Sequence, residues 1–289
     1  MNDAILVTGA SGFIGGHLVA ALKSAGHTVH CHSLLQGNIA SCSLEYEDVA
    51  HVFHLAGKTF VPKSWEEPRG FYEVNVLGAV NVLEFCRRRQ ASLTLISSYV
   101  YGKPQRLPIG EDHAVQPVNP YSHSKILAEE IGQYYRAQFG VQVGIIRPFN
   151  LYGPGQDDRF LIPTLIRQAL DPACDQIVVA DVRPRRDFIH VRDLIDLLLK
   201  VKNRSVNTVY NAGSGRSVSI GDLASMISAV LPPGKPVISA DKRRPEEVLD
   251  VVADIKRAAS DLGWSPRIPL ADGLRDTIEW IKYRPVAGG

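Results

Sequence analysis

Residues 4–16, AILVTGASGFIGG, constrain the fold more than any other stretch. Ala4, Ile5, Leu6 and Val7 form an unbroken apolar run, as expected of a central strand covered on both faces. Gly9, Gly12 and Gly15 follow at intervals of three. One permits a sharp turn, one lets the backbone approach a pyrophosphate, and one lets the next helix sit close to the strand. That helix runs on through Phe13, Ile14, Leu18, Val19 and Leu22, and its positive N-terminus faces the phosphates. A glycine triplet alone also occurs as a plain turn. Placed after a strand and at the start of a helix, it predicts a dinucleotide site, with Ser11, Phe13 and Ile14 in the contacting turn.

The 289 residues suffice for one large domain or two joined lobes, and 45% hydrophobic with 21% charged residues describes an ordinary globular chain. A net charge of +2 argues against nucleic acid and acidic membrane surfaces as partners. Cys31, Cys42, Cys86 and Cys174 form no CxxC pair and have no metal-ligand spacing, so free thiols in a reducing cytoplasm and no metal are expected. No apolar run approaches the ~18 residues of a membrane helix, and the chain opens directly on a strand rather than a leader.

A second strand is predicted over 28–32. Ser33 follows it, where an NAD-preferring protein carries an acid for the adenosine ribose. No acid and no arginine stand there; His32 and Ser33 are candidate contacts for a 2′-phosphate, or ordinary strand-end residues. The third strand, 49–55, ends in HLAG, where Leu55, Ala56 and Gly57 let the backbone approach a flat ligand. The segment 58–68 reads as a loop, 71–89 as a helix with a broad apolar face, and 93–96 as the fourth strand. Pro120 starts a helix to about residue 139, and a strand at 141–146 leads into RPFNLYGPG. Helices near 160–170, 193–200, 219–231, 254–262 and 270–283, with short strands at 177–179 and 209–211, complete the chain. The expected fold class is α/β: a doubly wound parallel Rossmann sheet over 1–150, joined by some later segments. A smaller α/β substrate lobe is expected mainly over 151–289.

Three polar residues suggest chemistry: Ser97 past a strand end, and Tyr121 and Lys125 one turn apart on a helix. A phenol titrates near 10, too high for a base at neutral pH. A neighbouring ammonium and an oxidised nicotinamide favour the phenolate. Tyr121 can then exchange the proton of a substrate hydroxyl while hydride moves, with Lys125 on the nicotinamide ribose and Ser97 on the substrate oxygen.

The ordered set TGASGFIG, HLAG, SSYVYG, YSHSK, RPFNLYGPG, RRDFIHVRD and NAGSG resembles the extended short-chain dehydrogenase/reductases of the nucleotide-sugar epimerase/dehydratase type over nearly the whole chain. The resemblance implies bound NAD or NADP, a nucleotide-sugar substrate and a homodimer through helices 71–89 and 120–139. It implies Ser97, Tyr121 and Lys125 as catalytic residues. Asn38, Ile39, Asn75 and Pro148 join the cofactor contacts. Ser98, Tyr99, Asn150, Arg186 and Arg244 become substrate contacts, the arginines gripping the diphosphate.

Three departures bear on the reaction. The family's dehydratases carry Asp-Glu where this chain has Ser98 and Tyr99, which argues against a 4,6-dehydratase. Ser33 replaces the NAD-selecting acid, and Asn38 the Asp near the adenine. The expected activity is hydride transfer at C4 of a nucleotide hexose, leaning to NADPH-dependent reduction of a 4-keto-6-deoxy sugar. The alternatives are a 4-epimerase with retained NAD and a non-catalytic dinucleotide-binding sensor or scaffold.

Overall fold

The computed structural model describes residues 3–202, 207–242 and 248–283. The first half alternates strand and helix: β1 (Ala4–Thr8), α1 (Phe13–Ser24), β2 (Val29–His32), β3 (Val49–His54), α2 (Val61–Glu66), α3 (Pro68–Tyr72), a π-helical turn (Glu73–Leu77), α4 (Gly78–Arg89), β4 (Ser92–Ile96), α5 (Pro120–Phe139) and β5 (Val143–Pro148). The second half adds β6 (Asn150–Tyr152), α6 (Leu161–Leu170), β7 (Ile177–Val179), β8 (Arg185–His190), α7 (Val191–Lys202), β9 (Val209–Ala212), β10 (Ser217–Ser219), α8 (Ile220–Val230), β11 (Val237–Ser239), β12 (Asp250–Val251), α9 (Lys256–Leu262) and α10 (Leu270–Tyr283).

Six strands form one parallel sheet in the order β2-β1-β3-β4-β5-β9. Alternation along β1 divides its side chains between two faces. Ile5 and Val7 pack with Leu18 and Leu22 of α1 and Leu194, Leu197 and Leu198 of α7. Leu6 packs with Val82, Leu83 and Phe85 of α4 and Ala128 of α5. Each such fully buried Leu or Phe contributes about 1.5–3 kcal/mol. A doubly wound Rossmann-type sheet follows directly from that two-sided burial. All carboxyl ends of the parallel strands lie along one edge, and the switch in strand order places a crevice there.

A second layered unit packs α6, α8 and α10 around β7, with Ile166, Leu223 and Leu274 in its core. Its mixed sheet has β8 between antiparallel β10 and parallel β12, with β6 alongside β8. β6, β8, β10, β11 and β12 are strands that the sequence does not predict; all but the six-residue β8 are only two or three residues long, too short for a period-two pattern, and β8 carries charged Arg185, Arg186 and Asp187 in a row.

Two local differences matter for the site. The segment expected as a loop at 58–68 contains α2, with Pro62 in its first turn. The helix expected over 71–89 is interrupted by the π turn, which holds the buried side chain of Asn75. Pro120 does begin α5, and Asn119 caps it by accepting from Ser122 N at 2.7 Å. No described helix is long and apolar enough to cross a membrane.

Candidate active site

The glycine turn closes against the third strand. Gly9 has φ +69°, and a Cβ there would lie 2.7 Å from Ala56 N. A Cβ on Gly15 would lie 2.1 Å from Gly9 O, so the helix approaches the turn only because that atom is absent. At Gly12 the nearest protein atom to such a Cβ is Gly9 O at 3.2 Å, and the residue is exposed. Gly12 begins α1 with no side-chain cap, and the first turn carries no acid. The first amides of α1 are thus free to receive an anion. Ser11 is exposed beside them, and Phe13 and Ile14 are half-buried.

Leu55, Ala56 and Gly57 follow β3 at the same edge. Leu55 N donates to Thr8 O at 3.2 Å and Ala56 N to Thr8 Oγ1 at 3.3 Å. Asn75 holds the next residue: Lys58 N donates to its Oδ1 at 2.8 Å, and its Nδ2 donates to Lys58 O at 3.1 Å and Ser124 Oγ at 2.9 Å. A Cβ on Gly57 would lie 3.0 Å from Asn75 Oδ1 and 3.7 Å from Lys125 Nζ. The π turn therefore brings α4's approach, the HLAG end and α5 to one point, a frequent use of such bulges.

Ser97 continues β4, and its amide donates to Ile146 O at 2.8 Å. Its hydroxyl and that of Ser98 are buried without a hydrogen-bonding partner. Two such orphans side by side are costly unless a ligand completes them. Lys125, 7% exposed, donates from Nζ to Ile96 O at 2.6 Å. Burial lowers its pKa to about 8, opposed by the Glu129 carboxylate. Burial raises the Tyr121 phenol, and the facing Ser98 hydroxyl offsets part of that rise without forming a well-aligned hydrogen bond. The phenol packs edge-on to Phe71, with ring centroids 6.3 Å apart. Burial thus biases both groups to their neutral forms, and the phenolate needs added positive charge beside it.

Around the other flank, Asn150 Nδ2 donates to Asp187 O at 3.1 Å. Arg186 sits next to it on β8, with Nη1 donating to Arg185 O at 2.9 Å and Val248 O at 2.8 Å. Its charge reaches Tyr99, whose hydroxyl donates to Gly102 O. Burial pushes the Tyr99 phenol up to about 12 against that charge. Tyr99, Asn150 and Arg186 therefore share one wall. Arg244, also expected there, lies outside the described residues.

The region after β2 differs from expectation in detail. His32 is buried, with Nδ1 3.1 Å from Tyr46 Oη and Nε2 3.5 Å from Cys42 Sγ. Burial lowers its pKa, and both ring nitrogens are turned to Tyr46 and Cys42 rather than outward. Ser33 donates from N and Oγ to Gln36 Oε1, at 2.9 and 2.8 Å. Asn38 is exposed and uses Oδ1 to accept from Ala40 N at 3.1 Å. Ile39 turns its side chain into the core beneath Gly78, and its carbonyl accepts from Asn81 Nδ2 at 2.8 Å. Pro148 ends β5, buried.

Three buried residues were missed by the sequence reading. Asp187 accepts from Ser214 N, Ser214 Oγ, Gly215 N and Ala253 N, which ties NAGSG to β8 and the segment after β12. Glu129 and Arg147 form a buried ion pair at 2.6 Å. Glu129 had a sequence signal: it continues the four-residue spacing of Tyr121 and Lys125.

The uncapped helix terminus, the open glycine and the orphaned serines together fit a dinucleotide over the sheet edge, with a hydroxylated substrate against Ser97. Residues 5–213 match the model of the NAD dependent epimerase/dehydratase family. UDP-glucose 4-epimerase of Azospirillum brasilense is 30% identical over 321 residues, covering 96% of this chain and 92% of the relative. Among solved structures, TunA, an NAD-dependent NDP-hexosamine 5,6-dehydratase of tunicamycin biosynthesis, superposes with a TM-score of 0.89 at 32% identity, covering 99% of this chain and 100% of that one. RMD from Pseudomonas aeruginosa in complex with NADPH gives a TM-score of 0.88 at 30% identity, covering 97% and 99%.

Proposed function

Because the chain belongs to the NAD-dependent epimerase/dehydratase family, we propose that it moves hydride at C4 of a nucleoside-diphosphate hexose and inverts that carbon, as a 4-epimerase holding NAD. The observation that carries this reading is the pair of unpartnered Ser97 and Ser98 hydroxyls, with Tyr121 facing Ser98 and Lys125 anchored to the strand end just before Ser97. The nicotinamide, when bound, supplies the hydride acceptor and a positive charge. Lys125 holds the ribose and favours the phenolate, Tyr121 takes the proton of the C4 hydroxyl and later returns it, and Ser97 orients that oxygen. No carboxylate among the described residues shifts the Tyr121 phenol. With Ser98 and Tyr99 in place of an acid pair, elimination of water lacks its acid and base.

The preference for NAD rests on the segment after β2. No lysine or arginine occurs between Lys23 and Lys58. A 2′-phosphate would meet no fixed cation there. Ribose hydroxyls need none, and the neutral Ser33 and Gln36 can meet them. That outweighs the missing acid, the sequence feature that leans toward an NADPH reductase. The reductase remains the second reading, favoured by Ser33 itself.

Tyr99, Asn150 and Arg186, with Arg244, are proposed to hold the nucleotide sugar, the two arginines coming from the lobe formed by 151–289. A homodimer is proposed through α4 and α5. A hollow of about 600 Å³ lies just before α4, between α3, the π turn and α5, lined by apolar atoms of Tyr72, Val76, Leu77 and Leu127 among others, and Leu77 is 51% exposed.

The test is incubation of the purified protein, without added cofactor, with UDP-, dTDP- and GDP-hexoses, following C4 by proton NMR. Mass spectrometry identifies the cofactor released on denaturation. Inversion with no net redox change and stoichiometric NAD is expected. An empty protein that only reduces a 4-keto sugar with added NADPH replaces the reading by the reductase.

A further inference from the structure

Arg147 touches each of the two pieces that carry the candidate catalytic groups. It is 5% exposed at the end of β5. Its Nε donates to Glu129 Oε1 at 3.0 Å and Oε2 at 3.2 Å, and Nη2 to Glu129 Oε2 at 2.6 Å. Nη1 donates to the Tyr101 hydroxyl at 3.0 Å, and the guanidinium stands 4.9 Å from that ring centroid. The Tyr101 hydroxyl in turn donates to Asn211 Oδ1 at 2.5 Å. Asn211 Nδ2 donates to Ile109 O at 2.9 Å.

The two partners of Arg147 lie on different carriers. Glu129 is 3% exposed on α5, on the face that also presents Tyr121 and Lys125. Tyr101 ends the segment that begins at Ser97. We infer that Arg147, through Glu129 and Tyr101, is a positioning residue that sets Tyr121 and Lys125 against Ser97 and Ser98. This rests on the proposed roles of those four residues.

The physical case is geometric. The forked guanidinium grips both carboxylate oxygens and so fixes rotation as well as distance, which an ammonium cannot do. Lys125 already pins α5 to Ile96 O, and Ser97 N is pinned to Ile146 O, the residue before Arg147. Arg147 adds the third point that prevents α5 from rocking about the Lys125 contact. A buried ion pair is a poor stabiliser relative to apolar residues of similar volume. Its cost is therefore consistent with a role in arrangement rather than in stability.

The decisive variant is the full-length double substitution Arg147→Met with Glu129→Leu, which removes both charges and leaves neither unpaired. Expected are a melting temperature at or above wild type, a kcat about 10–100-fold lower and a KM within about threefold, because misplacement by about 1 Å costs this much. Amide exchange across 97–102 is expected to quicken. Wild-type kcat in the folded double variant overturns the inference. Should that variant not fold, Arg147→Lys keeps the charge and loses the fork; the same fall in kcat is expected, and wild-type kcat overturns it. Failure of the functional reading is seen separately, as a wild-type protein that turns over no nucleotide sugar. Amide exchange then decides, and unchanged rates across 97–102 in the variants overturn the inference.

Discussion

Lys125 Nζ lies 2.6 Å from the carbonyl oxygen of Ile96, the residue immediately before Ser97. One contact thus joins the helix bearing Tyr121 to the strand end bearing Ser97. It also holds an ammonium where burial disfavours it, which keeps the lysine's charge dependent on its surroundings.

Tyr121→Phe and Lys125→Met separate proton transfer from cofactor binding. Tyr121→Phe is expected to lower kcat by about 10²–10⁴-fold with NADH affinity within a few fold. Lys125→Met is expected to lower both. Steady-state rates and NADH fluorescence titration check the pair.

The glycines of the first turn are expected to differ in kind. Gly15→Ala places a Cβ 2.1 Å from Gly9 O and is expected to cost about 1–3 kcal/mol. Gly12→Ala meets protein only at 3.2 Å, so its melting temperature is expected to stay within a few degrees while NADH affinity falls about tenfold or more. Calorimetry and titration on both variants distinguish packing from ligand approach.

Acid is expected to destabilise the fold through two buried histidines. His51 Nδ1 is 2.7 Å from Ser92 Oγ, and His54 Nδ1 is 2.7 Å from Thr8 Oγ1. Burial pushes each imidazole down to about 3. An unfolded histidine titrates near 6.5, so below that pH the unfolded chain binds more protons and stability falls. Each is expected to remove about 2 kcal/mol by pH 5, with no effect above pH 7.5. Urea midpoints at pH 7.5 and 5.0 measure the slope, and His54→Gln is expected to reduce it.

Leu77→Glu tests the dimer. A charge in the apolar hollow between α3, the π turn and α5 is expected to shift light-scattering mass from dimer to monomer while leaving the subunit folded, because Leu77 is already half exposed. A wild-type monomer contradicts the proposed assembly.

The glycine triplet, the apolar run of β1 and the Tyr121–Lys125 spacing are local in sequence, so the sheet, its crevice and the proposed catalytic groups were all legible before the structure. Asn75 was legible only by resemblance, since a π turn has no separate periodicity. The inward turn of His32 was not legible, because Tyr46 and Cys42, which receive it, come from a segment with no regular pattern. Arg147 looks in sequence like any strand-end cation, and only the meeting of β5 with α5 gives it a buried partner.

The most direct test of the central claim is a single turnover with a nucleotide hexose deuterated at C4, using the protein with its own cofactor. The account predicts that deuterium passes between C4 and C4 of the nicotinamide, with a primary isotope effect on the appearance of the inverted sugar. Loss of the deuterium to water, or inversion with the label never leaving C4, contradicts it.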